Sequence, residues 1–138
     1  MNGGPEHWET VYRRRAPGEV NSVSWIVGDV TEVELPVHGF DFWHDRAVFH
    51  FLTDPEMRER SVAAARQALK PGGHILVATF GPSGPERCSG LPVARHSANG
   101  IHAQFGEEFR QVGSDEEVHH TPAGTEQEFV YCYCRVRE

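Results

Sequence analysis

The chain has 138 residues, of which 13 are basic and 20 acidic, so its formal net charge is −7. This length suits one domain that buries a hydrophobic core without disulfides or metal ions. The negative charge argues against a protein that gathers nucleic acid through its overall field. No segment approaches the ~20 apolar residues needed to cross a bilayer. We therefore expect a soluble protein with neither a nucleic-acid nor a membrane partner.

The cysteines and the N-terminus indicate the compartment. The chain has three cysteines, an odd number, and Cys132 and Cys134 would share one face of a predicted strand. Such a pair is poorly placed for a mutual disulfide. The first residues show neither the basic flank nor the apolar stretch of a secretion signal. These features predict a reducing, cytoplasmic environment.

The first predicted elements are a helix and two strands. Helical spacing of apolar residues predicts a helix over residues 6–16, which Pro17-Gly18 would end. A β-branched and aromatic run predicts a strand over residues 23–28. Residues 40–44 are expected to form the next strand.

A longer helix is predicted to follow Asp54, because this residue is a suitable N-cap and Pro55 suits the first helical turn. The run Pro71-Gly72-Gly73 is expected to end that helix. Residues 74–80 are almost all apolar, which is typical of a strand buried on both faces of a parallel sheet. We expect this strand at the centre of the sheet.

The remaining sequence predicts a loop over residues 81–92, a short helix between Ser97 and Gly106, and a β-hairpin that turns at Pro122-Ala-Gly124. The fold class expected from this order is α/β and Rossmann-like. Its sheet would be mostly parallel and closed by the C-terminal antiparallel hairpin. We expect a single domain over residues 1–138, with residues 1–20 as an N-terminal helical segment.

Several segments resemble one known family. They include His7-Trp8-Glu9, Trp25-Ile-Val-Gly-Asp29, Asp41-Phe-Trp-His-Asp-Arg46, Leu69-Lys-Pro-Gly-Gly and Arg87-Cys-Ser-Gly-Leu-Pro92. Together they resemble the bacterial "EVSW"-type class I S-adenosylmethionine-dependent methyltransferases. In that family an EVSW segment leads into the first strand, and a separate V-[ST]-W precedes the third. Here the two short stretches run together over residues 19–25, as if two βα units of roughly 30 residues each were missing.

The resemblance implies S-adenosylmethionine as cofactor, held mainly by a glycine-rich turn. In this chain no two glycines are separated by a single residue, so no G-x-G turn exists. The resemblance also implies that Asp29 hydrogen-bonds the adenine amino group and that Val30 lies against the ring, with Gly28 and His44 completing the cofactor-binding set. We therefore expect a truncated methyltransferase whose cofactor binding is impaired or lost.

The expected catalytic residues are His44, Asp45 and Arg46. They end a predicted strand, and ligands of open α/β sheets bind at such ends. In a cleft, a histidine and an aspartate act as a base and the group that orients it. The alternative is an Asp45–Arg46 ion pair that only fixes the loop.

Two other functions remain open. A small hydrolase would use His44 and Asp45, or a metal site assembled from His44, His119 and the Cys132/Cys134 pair, although no H-x-x-x-H or C-x-x-C spacing appears. A non-catalytic binding or dimerisation module would keep the fold alone.

The expected partners are a small-molecule ligand and a second copy of the chain. If residues 23–28 have lost their neighbouring strands, apolar surface and a sheet edge become exposed. Dimerisation would cover both, with the helix over residues 6–16 exchanged between the copies.

Overall fold

The computed structural model describes residues 23–138, so the helix predicted over residues 6–16 and the segment 1–20 lie outside the described residues. The elements in chain order are strand β1 (Phe40–Arg46), a 3-10 turn (Phe49–Phe51), helix α1 (Pro55–Ala68), strand β2 (Leu69–Phe80), strands β3 (Arg87–Cys88) and β4 (Leu91–Pro92), helix α2 (Ala98–Phe105), and strands β5 (Phe109–His120) and β6 (Glu126–Val136).

Four strands form one sheet in the order β1-β2-β6-β5, and β3 pairs separately with β4. Strand β1 runs parallel to β2, whereas β6 is antiparallel to both β2 and β5. The sheet is therefore mixed, and the prediction of a mostly parallel sheet was wrong. The hairpin predicted near the C-terminus is present, but its second strand lies inside the sheet, because β6 occupies the free side of β2.

The strand predicted over residues 23–28 is not formed in the described part of the chain. Trp25, Ile26 and Val27 belong to no helix or strand and are about half exposed or more. A β-branched sequence becomes a stable strand only where another strand pairs with it and a packed face covers it. Within residues 23–138 no strand pairs with this segment, and β1 is therefore an edge of the sheet.

Helix α1 begins as its sequence predicts. The Asp54 carboxylate accepts a hydrogen bond from the backbone N–H of Glu56, and Pro55 is the first helical residue. The helix nevertheless ends at Ala68, before Pro71-Gly72-Gly73, which lies inside β2. Gly73 is required there because a Cβ would lie 2.8 Å from the carbonyl oxygen of Lys70.

Helix α2 and the hairpin turn follow their local signals. Ser97 Oγ accepts a hydrogen bond from the N–H of Gly100, and Gly106 ends the helix at φ +84°. Gly124 adopts the same φ in the turn between β5 and β6. Neither of the two helices in the described range is long and apolar enough to cross a membrane.

The main core lies on one face of the sheet, where both helices pack. We call this the covered face. Its buried residues include Ile75 and Val77 from β2, Cys132 and Cys134 from β6, Val62 and Ala65 from α1, and Ile101 and Phe105 from α2. A smaller cluster of Ala78, Phe80 and Phe129 lies on the other face at one end of the sheet.

We call that other face the open face, because neither of the described helices packs there. Strand pairing places the following side chains on it: Phe42, His44 and Arg46 of β1; His74, Leu76, Ala78 and Phe80 of β2; Phe129, Tyr131, Tyr133 and Arg135 of β6; Arg110, Asp115, Glu117 and His119 of β5. Cys88 and Val93 pack against its Ala78, Phe80 and Phe129 end. Tyr133 stacks on His74, and its hydroxyl lies 2.6 Å from His74 Nδ1.

Candidate functional site

The candidate catalytic residues lie where the parallel strands β1 and β2 have their carboxyl ends. Just beyond β1, the N–H of Ala47 donates to the carbonyl of Ala78, so the chain stays tied to β2 as it leaves the sheet. The 3-10 turn Phe49–Phe51 follows at once. Ligands of α/β sheets commonly bind at this end, so His44, Asp45 and Arg46 remain candidates for the site.

Asp45 points to the covered face and is only 6% exposed. Its Oδ1 accepts hydrogen bonds from the N–H groups of Val48 and Phe49, both at 3.1 Å. Burial raises the pKa of Asp45 to about 6, even though these two bonds favour the ionised form. Asp45 therefore holds the turn after β1.

Arg46 does not pair with Asp45. Its guanidinium lies over the ring of Phe129, 4.3 Å from the centroid, on the open face. Among the described residues it makes no ion pair with an acid. The Asp45–Arg46 pair considered as an alternative is therefore not formed, and Asp45 fixes the loop through backbone N–H groups instead.

His44 is exposed on the open face, with its ring centroid 6.3 Å from that of Phe42. Because adjacent strand residues point to opposite faces, His44 and Asp45 do not form a base and its orienting acid. Within residues 23–138 the imidazole has no hydrogen-bond partner. Both ring nitrogens are thus available to a ligand.

The proposed adenine-binding residues lie in a turn separate from the sheet. Asp29 Oδ1 accepts from the backbone N–H and the hydroxyl of Thr31, at 2.8 and 2.7 Å. These hydrogen bonds lower the pKa of Asp29. Val30 is half-buried, and a Cβ added at Gly28 would meet only the Val33 side chain, at 3.5 Å.

The structure does not join this turn to the strand-end residues. In the described range, no hydrogen bond or ion pair connects Gly28, Asp29 or Val30 with residues 44–46. The hydrogen bonds of Asp29 reach only as far as Val33. The two halves of the expected site therefore lie on independently held segments.

The residues considered for an assembled metal site are also far apart. His44 and His119 lie on strands at opposite edges of the sheet. Cys132 and Cys134 are buried on the covered face, with their Sγ atoms 3.6 Å apart, and both are free thiols. No group of three metal-ligating side chains occurs between residues 23 and 138. The assembled metal site is thus not formed.

Two histidines that sequence reasoning did not assign to the site lie at its base. His50 is fully buried, and its Nδ1 accepts a hydrogen bond from the N–H of Phe80 at 3.0 Å. The proton of the neutral ring must then be on Nε2, which has no partner among the described residues. Burial, together with His96, lowers the pKa of His50 to about 4.

His96 lies beside the same strand end. Its backbone N–H donates to the carbonyl of Phe80, and its ring is 5.5 Å from that of Phe49. Burial and the charge of Arg58 lower the pKa of His96. The sequence signal for the buried role of His50 was its position inside the apolar run of residues 47–52.

The role of Asp45 can be tested by two substitutions. Asp45→Ala removes the acceptor of two N–H groups, so we expect a loss of about 2–4 kcal/mol in the free energy of unfolding. Asp45→Asn retains an oxygen acceptor and buries no charge, so the loss at pH 8 should stay below about 1 kcal/mol. Urea denaturation measures both. The control is Asp41→Ala on the same strand, whose exposed ion pair with Lys70 should contribute little.

The buried His50 predicts a dependence of stability on pH. The His50 ring takes up a proton near pH 6.5 in the unfolded chain but only near pH 4 in the folded chain. Its contribution to the free energy of unfolding is therefore complete above pH 6.5 and falls as the pH approaches 4. His50→Asn keeps an acceptor for Phe80 N–H but does not titrate. We expect the stability difference between wild type and variant to shrink by about 2–3 kcal/mol from pH 7 to pH 4.

The raised pKa of Asp45 makes stability change with pH in the opposite direction, so wild type must be compared with a variant that still contains Asp45. Its raised pKa makes the folded state favour the protonated carboxyl, and this contribution is lost as pH rises through about 6. Both proteins contain Asp45, and its effect cancels in the difference. A wild-type minus His50→Asn difference that is constant from pH 4 to pH 7 would contradict the assignment.

Comparison with known proteins identifies a family. Residues 6–77, just over half of the chain, match a family described as the methyltransferase domain. No curated protein sequence is significantly similar to the chain.

Solved structures show the same fold. They include an S-adenosylmethionine-dependent methyltransferase from Methanosarcina mazei (15% identity, TM-score 0.64, covering 81% of this chain and 66% of that one). The N-methyltransferase NodS from Bradyrhizobium japonicum, in complex with S-adenosyl-L-homocysteine, has 16% identity and a TM-score of 0.67, covering 90% and 61%. The 1,6-didemethyltoxoflavin-N1-methyltransferase from Burkholderia thailandensis, with bound 1,6-didemethyltoxoflavin and S-adenosylhomocysteine, has 19% identity and a TM-score of 0.64, covering 99% and 59%.

The chain spans about three fifths to two thirds of the length of these proteins. At such identities the likeness establishes an α/β methyltransferase-like fold with a mixed sheet. The sequence match extends over the segments that carry β1 and most of β2. The chain belongs to the methyltransferase domain family.

Proposed function

We propose that the chain is an internally truncated methyltransferase of the EVSW type, which binds S-adenosylmethionine weakly through the adenine end. The observation that carries this proposal is that the Asp29 turn keeps an acceptor for the adenine amino group, although no G-x-G turn exists anywhere in the chain. Methyl transfer would be reduced in proportion to cofactor occupancy.

The adenine end fits the residues present. Thr31 donates to Oδ1 of Asp29, and Oδ2 has no partner among the described residues, so Oδ2 can accept an N–H from the adenine amino group. The lowered pKa of Asp29 keeps the carboxylate ionised at neutral pH. Val30 supplies half-buried apolar surface, and Gly28 leaves room for a flat ring.

The rest of the cofactor fits less well. A glycine-rich turn brings backbone N–H groups close to a ligand because it has no side chains, and this chain has no G-x-G turn to do so. When bound, S-adenosylmethionine supplies an electrophilic methyl group. With fewer contacts, the free energy of binding should be smaller, and the reacting end of the cofactor would be poorly positioned.

His44 is the residue best placed to assist a reaction. Its exposed imidazole, at the carboxyl end of β1, can accept a proton from a nucleophilic hydroxyl or amine. Asp45 would act indirectly, by holding the turn that follows His44. The hydrolase hypothesis receives no support from the described residues, because His44 and Asp45 face opposite sides and the metal ligands are apart.

Cofactor binding is measurable by calorimetry on the full chain. We expect S-adenosylmethionine to bind with a Kd weaker than about 100 µM, equivalent to less than about 5.5 kcal/mol. Asp29→Asn should weaken binding further, by about threefold to tenfold, because it removes the charged acceptor. The control is Asp41→Asn, which makes the same change in an exposed aspartate near the start of β1, away from the candidate site. This variant should bind S-adenosylmethionine as wild type does. A low-micromolar Kd would instead indicate an intact cofactor site.

The role of His44 needs an activity measurement. Release of S-adenosylhomocysteine under saturating cofactor should fall about 10²–10⁴-fold in His44→Ala if the imidazole is a general base. Asp45→Asn, which keeps the turn, should lose far less than Asp45→Ala. His120→Ala is the control, because the His120 side chain is exposed at the hairpin end. His102→Ala is less suitable as a control, because the His102 ring hydrogen-bonds the carbonyl of Phe109 and supports the fold. Unchanged turnover in His44→Ala would exclude this role.

A further inference from the structure

One region of the open face is not covered by either described helix. Cys88 and Val93 pack on the end of the face near the carboxyl end of β2. Away from that end, Leu76 and Tyr133 are half-buried, and Phe42 is 51% exposed. We call the region around these last three residues the uncovered region. Apolar and aromatic side chains on a sheet are normally packed against a further layer, so the region suits one additional element.

The charges on this face change sign along β5. Arg110 lies at the start of the strand, opposite Arg135 of β6, whereas Asp115 and Glu117 follow on the same face beyond the bulge. The β6 partners of Arg110 and Asp115 are Arg135 and Tyr131. Those two partners are separated by about 13 Å along the strand. An element that packs here with opposite charges must therefore be acidic at one end and basic at the other.

Two of these charged side chains are free to pair with such an element. Among the described residues, Arg110 and Asp115 make no ion pair. Arg135 already pairs with Glu138, at 3.7 Å, and Glu117 accepts a hydrogen bond from a tyrosine hydroxyl. Arg110 and Asp115 are therefore the charges that most need a partner.

The residues that precede the described range supply an element of suitable size. Their sequence predicts a helix over residues 6–16, with Trp8, Val11 and Tyr12 on one side. A helix of this length spans about 16 Å, which matches the extent of the uncovered region and its flanking charges. The connection over residues 17–22 reaches up to roughly 20 Å. It can therefore cross the sheet, whose outer strands are about 14 Å apart.

The predicted helix has the charge order that the face requires. Glu6 and Glu9 lie in its first half, and its last turn is the run Arg13-Arg14-Arg15. From Glu6 to the middle of the arginine run, the helical rise is about 12 Å. A helix that runs in the direction of β5 brings its acids to Arg110 and its arginines to Asp115. The opposite direction would place like charges together.

We propose that residues 6–16 pack as a helix on the uncovered region of the same chain, running in the direction of β5. The apolar side of the helix would contact Leu76 and Tyr133, and its basic end would pair with Asp115 and Glu117. The occupant of the open face is thus the chain's own N-terminal segment. The proposal does not depend on methyl transfer.

The packed helix would form one wall of the candidate site. Strand pairing places Leu76 between His44 of β1 and Tyr133 of β6. A helix over Leu76 and Tyr133 therefore lies beside the His44 imidazole rather than on top of it. The imidazole stays accessible from the β1 edge, while access across the sheet is closed.

Hydrogen exchange of the full-length chain, followed by mass spectrometry, tests this packing. A helix as short as residues 6–16 is marginal on its own, so its amides exchange slowly only when the helix is packed. We expect exchange over residues 6–16 to become at least about 10-fold faster in Asp115→Arg/Glu117→Arg, because like charges then meet at the basic end.

A rescue variant and a matched control separate this contact from a general effect of charge. Adding Arg14→Glu and Arg15→Glu to the β5 double variant restores opposite charges and should recover most of the protection. Glu116→Arg makes the same change on β5, but Glu116 is exposed and points to the other face. This control should exchange as wild type does.

The variants should remain folded, because Asp115 and Glu117 are exposed, and circular dichroism verifies this. Asp115→Arg alone keeps the hydrogen bond of Glu117 and should still speed exchange about threefold or more. Three results would overturn the proposal: rapid exchange of residues 6–16 in wild type, exchange that Asp115→Arg/Glu117→Arg leaves unchanged, or protection confined to a dimeric fraction from size-exclusion chromatography. In the last case the segment would lie on a second copy.

Discussion

The position of strand β2 determines the placement of almost every other described element. It pairs in parallel with β1 and antiparallel with β6, and its residues Ile75 and Val77 are buried under both helices. Helix α1 runs directly into it at Leu69. At its other end, Phe80 bonds His50 through its N–H and His96 through its carbonyl, which fixes two loops at the candidate site. A strand paired on both sides is the least able to shift, so it provides a rigid reference for the site.

Burial biases both polar groups beside this strand end towards their neutral forms. Asp45 is held by two N–H groups yet disfavours its own charge, and His50 is held neutral because it accepts from Phe80 and is cut off from water. Both arrangements stabilise one conformation of the turn after β1, since an unpartnered buried group is expensive. His44, exposed on the open face, is left free to interact with a ligand.

The sequence predicted those elements whose signals are local. The N-cap at Asp54, the cap at Ser97 and the turn at Gly124 each act within a few residues, and all three appear as expected. Residues 23–28 failed as a strand because β structure requires a partner that propensity cannot supply. The orientation of His44 and Asp45 was available from the sequence, because a period of two places neighbours on opposite faces. The partnering of His50 with Phe80 was not, since it joins residues 30 apart through the fold.

The two halves of the candidate site are positioned by different kinds of interaction. His44 belongs to a strand that is paired with β2 along its length. Among the described residues, the hydrogen bonds of Asp29 reach only as far as Val33. The next hydrogen bonds from this segment to α1 and β2 are those of His38, to the carbonyls of Gln67 and Leu69. Ordering a loosely tied turn when a ligand binds costs free energy that a preorganised site does not spend. The Asp29 turn would therefore become ordered only as a ligand binds, whereas His44 is already held in place by the pairing of β1 with β2.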